Sequence, residues 1–300
     1  MFKFKPMSKD GIYYLPIEDS TAKSVADFYD VDPFPNYELN EDKLSLTQKG
    51  NKNQLTRKLK DFIGLNKSFI EFGSGTSQLS NYLAIGTNNK IFAFDPTESS
   101  LRLGYNFAKK NGIKNVSFVN ADIFDDVLEE KSFDFVWCSG VLHHTKNPDG
   151  GFAIIQKSLK TNGYIFIGLY NKYGRFRTFV RQILYKFFGA RLIMIMDPYL
   201  RSLDKRNAQS KIDAWVQDQY KHPLEQSHTF DEVLNWFDDY NIEFINSIPS
   251  IDSLDKSVSF EKNAIGKGNF LLRLFVQLKM VFTKLGQEGG LFIMIGQKKS

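Results

Sequence analysis

Short apolar runs and helical periodicities alternate along the middle of the chain. Five apolar runs predict buried strands, and helical segments separate them: Ser68–Phe72, Lys90–Phe94, Val116–Val119, Phe133–Cys138 and Tyr164–Leu169. This alternation is typical of βαβ units in a parallel sheet. Two later runs, Ile242–Ile248 and Leu291–Gly296, predict two more strands, and Lys43–Leu65 predicts a helix before the first strand. The pattern therefore predicts an α/β fold.

Two amphipathic segments interrupt this alternation. In the first, apolar residues recur at helical spacing from Phe176 to Phe187, and cations lie on the other face. The second lies near residues 269–286 and is also basic. We interpret both as lid elements that bury their apolar faces on the core. Contact with a membrane surface and dimerisation are the alternatives.

The same pattern divides the chain into four segments. Residues 1–60 form an N-terminal helical and aromatic cap, 61–170 the α/β core, 171–228 an inserted helical lid, and 229–300 the end of the core with the second basic helix. Two prolines in FYDVDPFPNY (Phe28–Tyr37) exclude a regular element there. Its aromatic residues could cover a ligand or fill a gap against the sheet.

Composition restricts the class of protein further. Of the 300 residues, 42% are hydrophobic, which is enough for a large core. Cys138 is the only cysteine, which excludes an internal disulfide and a multi-cysteine metal site. The N-terminal MFKFKPMSKDG contains no apolar signal region, and no run of about 18 apolar residues occurs. We therefore expect a soluble cytoplasmic protein.

The net charge of +5 is modest, but its distribution is uneven. Asn171–Met196 contains six cations and no acid, and Asn263–Gly286 contains cations only. Such blocks face water or anionic groups. The chain shows no alternation of basic and aromatic residues along a strand, so the pattern does not favour a nucleic-acid partner. Peripheral membrane contact and a homodimer stay open.

The stretch FIEFGSGTSQLS (Phe69–Ser80) predicts a buried strand, a glycine turn and a helix, an arrangement that holds nucleotides in α/β proteins. In a dinucleotide site the pyrophosphate lies at such a turn. Glu71 would oppose that charge and would favour a ligand that is positive there, although it could instead cap the helix or pair with a lysine. Ser77 stands where a third glycine often occurs.

Two further acids follow the next two predicted strands. Asp95 ends the second strand about 20 residues after the glycines, a position suited to a ribose diol, although an acid before Pro96 is also a common turn residue. Asp122 ends the third strand, within reach of an adenine amino group, although it could be a plain helix cap.

Four ordered motifs, EFGSGT, FAFDP, VNADIF and FDFVWCSGVLHH, resemble the class I S-adenosylmethionine-dependent methyltransferases over about Asn66–Leu169. The resemblance implies a Rossmann-like seven-stranded sheet of order 3-2-1-4-5-7-6, with the last strand antiparallel. It also implies S-adenosylmethionine as cofactor and S-adenosylhomocysteine as product. The cofactor has no phosphate and carries a sulfonium and an ammonium, which suits Glu71.

The resemblance implies roles for individual residues. Glu71 and the turn Gly73, Ser74 and Gly75 would lie beside the methionine part, and Asp95 with Pro96 beside the ribose. The remaining cofactor residues would be Asp122 and Ile123 at the adenine, and Ser139 and Gly140 under the sulfonium.

Candidates for proton transfer follow the fourth and fifth strands. His143 and His144 lie after the fourth strand, and Tyr170 after the fifth. Histidine suits a base near neutral pH, although an architectural role is also plausible at this position. His222 could be a lid residue that faces the site. It also lies in KHPLEQSH with Glu225 and His228, but the spacing and Pro223 disfavour a metal site, so we expect none.

The sequence thus predicts a methyltransferase that acts on a small-molecule or lipid-like acceptor at oxygen or nitrogen. The alternatives are a non-catalytic methyltransferase-like interaction module, a tRNA methyltransferase and a nicotinamide-dependent oxidoreductase. Glu71 and the absent third glycine count against the last of these.

Overall fold

The computed structural model of the protein describes residues 2–3, 5–17, 37, 40–203, 209–220, 225–251, 258–282 and 290–299. Within them one sheet contains nine strands: β1 (Met7–Lys9), β2 (Ile12–Tyr14), β3 (Ser68–Phe72), β4 (Lys90–Asp95), β5 (Val116–Asn120), β6 (Phe133–Ser139), β7 (Leu159–Tyr170), β8 (Ile242–Ile248) and β9 (Leu291–Lys298).

The α-helices of the described residues surround this sheet. They are α1 (Lys43–Lys52), α2 (Gln54–Ile63), α3 (Gln78–Ala84), α4 (Glu98–Lys110), α5 (Pro148–Ile155), α6 (Phe176–Phe188), α7 (Ala190–Met196), α8 (Pro198–Ser202), α9 (Gln209–Tyr220), α10 (Phe230–Asp239) and α11 (Phe270–Met280).

The strands follow the order β1-β2-β5-β4-β3-β6-β7-β9-β8. The predicted α/β Rossmann-like fold is confirmed, but the prediction of a seven-stranded sheet is wrong, because β1 and β2 extend the edge beyond β5. The other seven strands keep the relative order 3-2-1-4-5-7-6, and β9 runs antiparallel to both β7 and β8. The extra hairpin turns at Asp10 and Gly11, which both adopt positive φ, as a two-residue turn requires.

Apolar side chains cover both faces of the sheet. One cluster packs under α5 and α10 and includes Phe152, Phe230 and Phe237. The other packs under α2, α3 and α4 and includes Leu59, Tyr82 and Leu101. A parallel sheet buried on both faces explains why its strands are continuous apolar runs.

The predicted helix from Lys43 to Leu65 is two helices, α1 and α2. The chain leaves helical geometry at Asn53, whose side-chain oxygen accepts hydrogen bonds from the amides of Leu55 and Thr56. Asparagine competes for backbone amides in this way, so it starts a new helix instead of continuing the first.

The inserted segment is helical, as predicted, but α6 does not bury its apolar face on the core. Phe176, Phe179 and Phe187 are 57%, 56% and 77% exposed, whereas Thr178 is buried. A separate small cluster, which includes Ile193, Leu200 and Trp215, holds α7, α8 and α9 together. Within the described part of the chain, no helix is long and apolar enough to cross a membrane.

Candidate functional site

The carboxyl ends of five parallel strands meet at one edge of the sheet. The registers place the end of β3 beside the ends of β4 and β6, the end of β4 beside that of β5, and the end of β6 beside β7. The residues that follow these strands are therefore neighbours. In open α/β sheets this edge is the usual ligand site.

The glycine turn after β3 bends over the end of β4. The amides of Gly73 and Ser74 both donate to the carbonyl of Phe94, at 2.8 and 3.1 Å. Gly73 has φ of +66°, and a Cβ atom on it would lie 2.1 Å from Cγ2 of Val141. Only glycine satisfies both constraints at this position.

Ser77, the departure from the third glycine, adopts a left-handed conformation with φ of +58°. Its amide donates to the carbonyl of Ser74 at 2.7 Å, and the two hydroxyl oxygens lie 3.2 Å apart. A Cβ on Gly104 of α4 would lie 2.9 Å from Cβ of Ser77, so the helices are close here. The backbone therefore keeps a conformation that glycine would adopt without strain.

Glu71 lies buried beneath this turn. Its Oε2 accepts hydrogen bonds from the amide and the hydroxyl of Ser80, at 3.0 and 2.6 Å, so the capping role considered as an alternative is present. Burial raises the pKa of Glu71 to about 8, the Ser80 hydrogen bonds lower it in part, and nearby Asp95 adds to the rise. A cation bound nearby would stabilise the charged form of this carboxyl.

Asp95 joins the glycine turn to the end of β4. Its Oδ2 accepts from the amide of Gly75 at 2.7 Å, and its Oδ1 from the amide of Thr97 at 2.8 Å, which also makes it a turn residue. These two bonds hold the side chain in one orientation at the ends of β3 and β4.

Asp122 precedes a 3-10 turn, Ile123–Asp125, and its amide donates to Oδ2 of Asp125 at 3.3 Å. The alternative reading of Asp122 as a cap is therefore present as well. Ile123 is buried in the core. Sequence reasoning missed Asn120, whose side-chain amide donates to the carbonyls of Asp95 and Pro96, at 3.2 and 2.8 Å, and joins the two strand ends.

Gly140 leaves an open space at the end of β6. It has φ of +81°, and no atom lies within 4 Å of the position that a Cβ would occupy. Beside it, Ser139 packs against Gly168 of β7, where an added Cβ would lie 2.0 Å from the Ser139 hydroxyl oxygen. The predicted cofactor residues therefore lie at the neighbouring carboxyl ends of the strands, and Gly140 has open space beside it.

The histidines and the tyrosine predicted for proton transfer are brought together. The rings of His143 and Tyr170 stack, with centroids 4.0 Å apart, and His144 approaches the same ring edge-on at 5.9 Å. His143 has no solvent exposure, and His144 is 6% exposed. His222, the fourth candidate, lies outside the described residues.

Sequence reasoning missed Arg175, which lies beside these rings. Its guanidinium lies 3.7 Å from the Tyr170 ring centroid, and it donates to Glu225 through Nε and to Gln219 through Nη1, at 2.9 and 2.6 Å. Gln219 in turn donates to the Tyr170 hydroxyl at 2.9 Å. Only the cation block from Asn171 onward could have indicated this arginine, and it does not distinguish Arg175 from its neighbours.

Two other residues have structural roles. Cys138 is buried within β6, and burial raises the pKa of its thiol, so it is a core residue. Asn171 is fully buried and its side chain donates to Gln277 of α11 at 2.9 Å while accepting from the amides of Tyr173 and Gly174.

Comparison with known proteins gives one family match. A family model described as a methyltransferase domain matches residues 64–235, which is more than half of the chain. An uncharacterized protein of Synechococcus sp. is 25% identical over 177 residues, which cover 54% of this chain and 40% of that protein. This chain therefore spans less than half the length of that curated relative.

Among solved structures, PKMT2 from Rickettsia typhi in complex with AdoHcy superposes with a TM-score of 0.54 at 16% identity. The alignment covers 82% of this chain and 54% of that one. At this identity the likeness supports the fold alone.

Proposed function

Because the chain belongs to the family of methyltransferase domains, in which S-adenosylmethionine is the cofactor, we propose that the protein methylates a small-molecule or lipid-like acceptor at oxygen or nitrogen. When bound, the cofactor supplies an electrophilic methyl group on a sulfonium. The recognition of a class I S-adenosylmethionine-dependent methyltransferase from the motifs is confirmed.

The observation that carries the proposal is that Glu71, the glycine turn and Asp95 lie together at the carboxyl ends of β3 and β4, next to the end of β6, where Gly140 has open space beside it. In this proposal Glu71 and Gly73–Gly75 hold the methionine part, because the buried carboxyl gains its charge most easily beside a cation. Asp95 accepts from the ribose hydroxyls, since its oxygens are already oriented by Gly75 and Thr97. Asp122 and Ile123 lie at the adenine, and Ser139 and Gly140 leave space for the reacting sulfur.

The acceptor is placed on the side of His143, His144 and Tyr170. Arg175 and His143 each lie within 4.0 Å of the Tyr170 ring centroid, which leaves room for only one of them on each ring face. Gln219 orients the Tyr170 hydroxyl from the lid. The tyrosine thus keeps one rotamer, as a group that orients an acceptor must. His144 or His143 takes up the acceptor proton.

The family match decides against the nicotinamide reading, and the carboxyls at the glycine turn agree with that choice. A non-catalytic interaction module transfers no methyl group, and a tRNA methyltransferase transfers it to RNA instead of to a small molecule or lipid. A transfer experiment therefore separates all three.

The test uses the 300-residue chain and S-adenosylmethionine labelled in the methyl group. It is incubated with a cell extract divided into organic-soluble, small-molecule, RNA and protein fractions. The proposal expects label in the organic-soluble or small-molecule fraction, and less label when Asp95→Ala replaces the wild type at the same subsaturating concentration of S-adenosylmethionine. Label in RNA or protein, or no transfer in any fraction, contradicts the proposed acceptor class.

A further inference from the structure

The exposed side of α6 is an apolar stripe. Phe176, Phe179, Val180, Ile183 and Phe187 recur at helical spacing, and each is 37% to 77% exposed. On a helix of 3.6 residues per turn these five lie on one face. Monomeric soluble proteins rarely expose large contiguous apolar surfaces, so this stripe calls for a partner.

The opposite side of α6 already packs on the rest of the inserted segment, where Tyr185 stacks on Tyr220 with ring centroids 5.7 Å apart. Thr178 is buried, and the side chain of Arg181 donates to its hydroxyl at 2.9 Å. Gln182 donates to the backbone carbonyl of Gln219 at 2.9 Å. The helix therefore attaches to α9 by both hydrogen bonds and ring contacts, and it cannot turn its phenylalanines inward without losing them.

Helix α11 repeats this arrangement. It buries Val276, Gln277 and Met280 and exposes a second stripe. The exposed members are Phe270, Leu271, Phe275, Leu278 and, just after the helix, Phe282, at 43% to 77%.

The loop that precedes α6 contacts α11. Asn171, just before α6, donates to Gln277 of α11 at 2.9 Å. A Cβ on Gly174 would lie 3.1 Å from Cβ of Met280. The two stripes, called here the α6–α11 surface, thus start from one anchor at the end of β7.

The side chains beside the α6 stripe are cationic, which favours an anionic partner. Arg177 and Lys186 are exposed and, by helical geometry, lie on either side of it. Lys172 and Arg191 are exposed close by, and no acid occurs between residues 171 and 196. Aromatic residues between flanking cations suit the boundary of an anionic bilayer, where the rings enter the headgroup region and the cations meet phosphates.

We propose that the α6–α11 surface docks the protein on anionic lipid membranes. A second copy of the chain is the less favourable occupant, because two cationic stripes repel each other. The surface adjoins Tyr170, so a docked molecule holds the acceptor side of the site next to the bilayer. Docking is independent of methyl transfer and is measured without cofactor.

The test is sedimentation of the full chain with vesicles. One set contains phosphatidylglycerol in phosphatidylcholine and the other phosphatidylcholine alone, each at about 0.1 M and about 0.5 M NaCl. The wild type is expected to sediment with the anionic vesicles at low salt and to detach at high salt. Phe179→Ser with Phe187→Ser should weaken partitioning at least about tenfold.

Matched variants separate the surface from general effects. Arg177→Glu with Lys186→Glu should weaken partitioning by at least about tenfold, since each cation near an anionic surface contributes about fivefold. Lys110→Glu with Lys114→Glu changes the net charge equally on the other half of the sheet, and Leu44→Ser with Leu65→Ser removes exposed apolar residues elsewhere. Both controls should bind within about twofold of the wild type.

The proposal is overturned if the wild type stays in solution at low salt. It is also overturned if the phenylalanine variant sediments like the wild type. A third refuting result is a dimer, detected by light scattering, that the same phenylalanine substitutions abolish and that persists when anionic vesicles are added. Thermal unfolding of each variant shows that it is folded before its binding is compared.

Discussion

Replacing Glu71 with glutamine removes a buried ionisable group while keeping its shape. The glutamine oxygen can still accept from the amide and the hydroxyl of Ser80, as Oε2 of Glu71 does at 3.0 and 2.6 Å. The packing of α3 on β3 therefore stays the same. What changes is the dependence of stability on pH.

Burial raises the pKa of Glu71 from 4.5 to about 8 in the folded chain. The folded state then holds the proton more tightly than the unfolded state, so stability falls as pH rises from about 4.5 to about 8. A difference of about 3.5 pKa units corresponds to a ceiling of about 5 kcal/mol. Between pH 5 and 8.5 the loss is at most about 4 kcal/mol. Glu71→Gln has no such loss.

The assay is chemical denaturation of the wild type and of Glu71→Gln at pH 5 and at pH 8.5. Other titrating groups affect both proteins equally, so the difference in unfolding free energy isolates Glu71. The unfolding free energy of Glu71→Gln should increase relative to that of the wild type as pH rises. If the difference in unfolding free energy between the variant and the wild type changes by less than about 0.5 kcal/mol from pH 5 to pH 8.5, the raised pKa of Glu71 is refuted.

Three further predictions concern neighbouring groups. Asp95→Ala should weaken S-adenosylhomocysteine binding by about 1–3 kcal/mol in calorimetry, because charge-assisted hydrogen bonds are lost. The control Asp134→Ala removes a carboxylate bonded to Ser68 at the other end of β3 and should leave the affinity unchanged. Equal effects of the two substitutions would contradict the ribose role of Asp95. Arg175→Met should cost about 3 kcal/mol of unfolding free energy because it leaves Glu225 unpaired, and adding Glu225→Gln should recover part of it; purely additive effects would contradict the coupling. Gly73→Ala should destabilise by about 2 kcal/mol or more, and Val141→Ala should relieve the overlap but not the strain of positive φ; an unchanged melting temperature would contradict the close contact.

Much of the core could be predicted from the sequence because its signals are local. A strand buried on both faces is a continuous apolar run, so the predicted ends of the five strands from β3 to β7 agree with the structure to within one residue, except that β7 begins at Leu159, five residues before the predicted Tyr164. The capping box of Thr229 and Glu232 at the start of α10 is a local signal of the same kind, since both partners lie within four residues.

The hairpin of β1 and β2 was missed, although Asp10 and Gly11 are the turn pair that such hairpins favour. Three-residue strands show too few alternations to be recognised. Asn53 was likewise read as part of one long helix, because its capping role depends on a bond to amides two and three residues ahead.

The contacts around Tyr170 could not be predicted from local sequence patterns. Arg175 meets Gln219 and Glu225, which follow it by 44 and 50 residues, only because the chain after β7 folds back over the end of that strand. The orientation of α6 is a second case. Its periodicity predicts an apolar face, but the bond of Gln182 to α9 and the stacking of Tyr185 on Tyr220 determine that this face points to solvent.

The most direct test of the cofactor site is a calorimetric titration of the purified chain with S-adenosylhomocysteine, with NAD as the matched control. A site lined by Glu71 and Asp95 should bind the former at micromolar concentrations, one molecule per chain, and should not bind NAD. Binding of NAD with comparable affinity, or of neither ligand, would contradict the assignment of this edge of the sheet to S-adenosylmethionine.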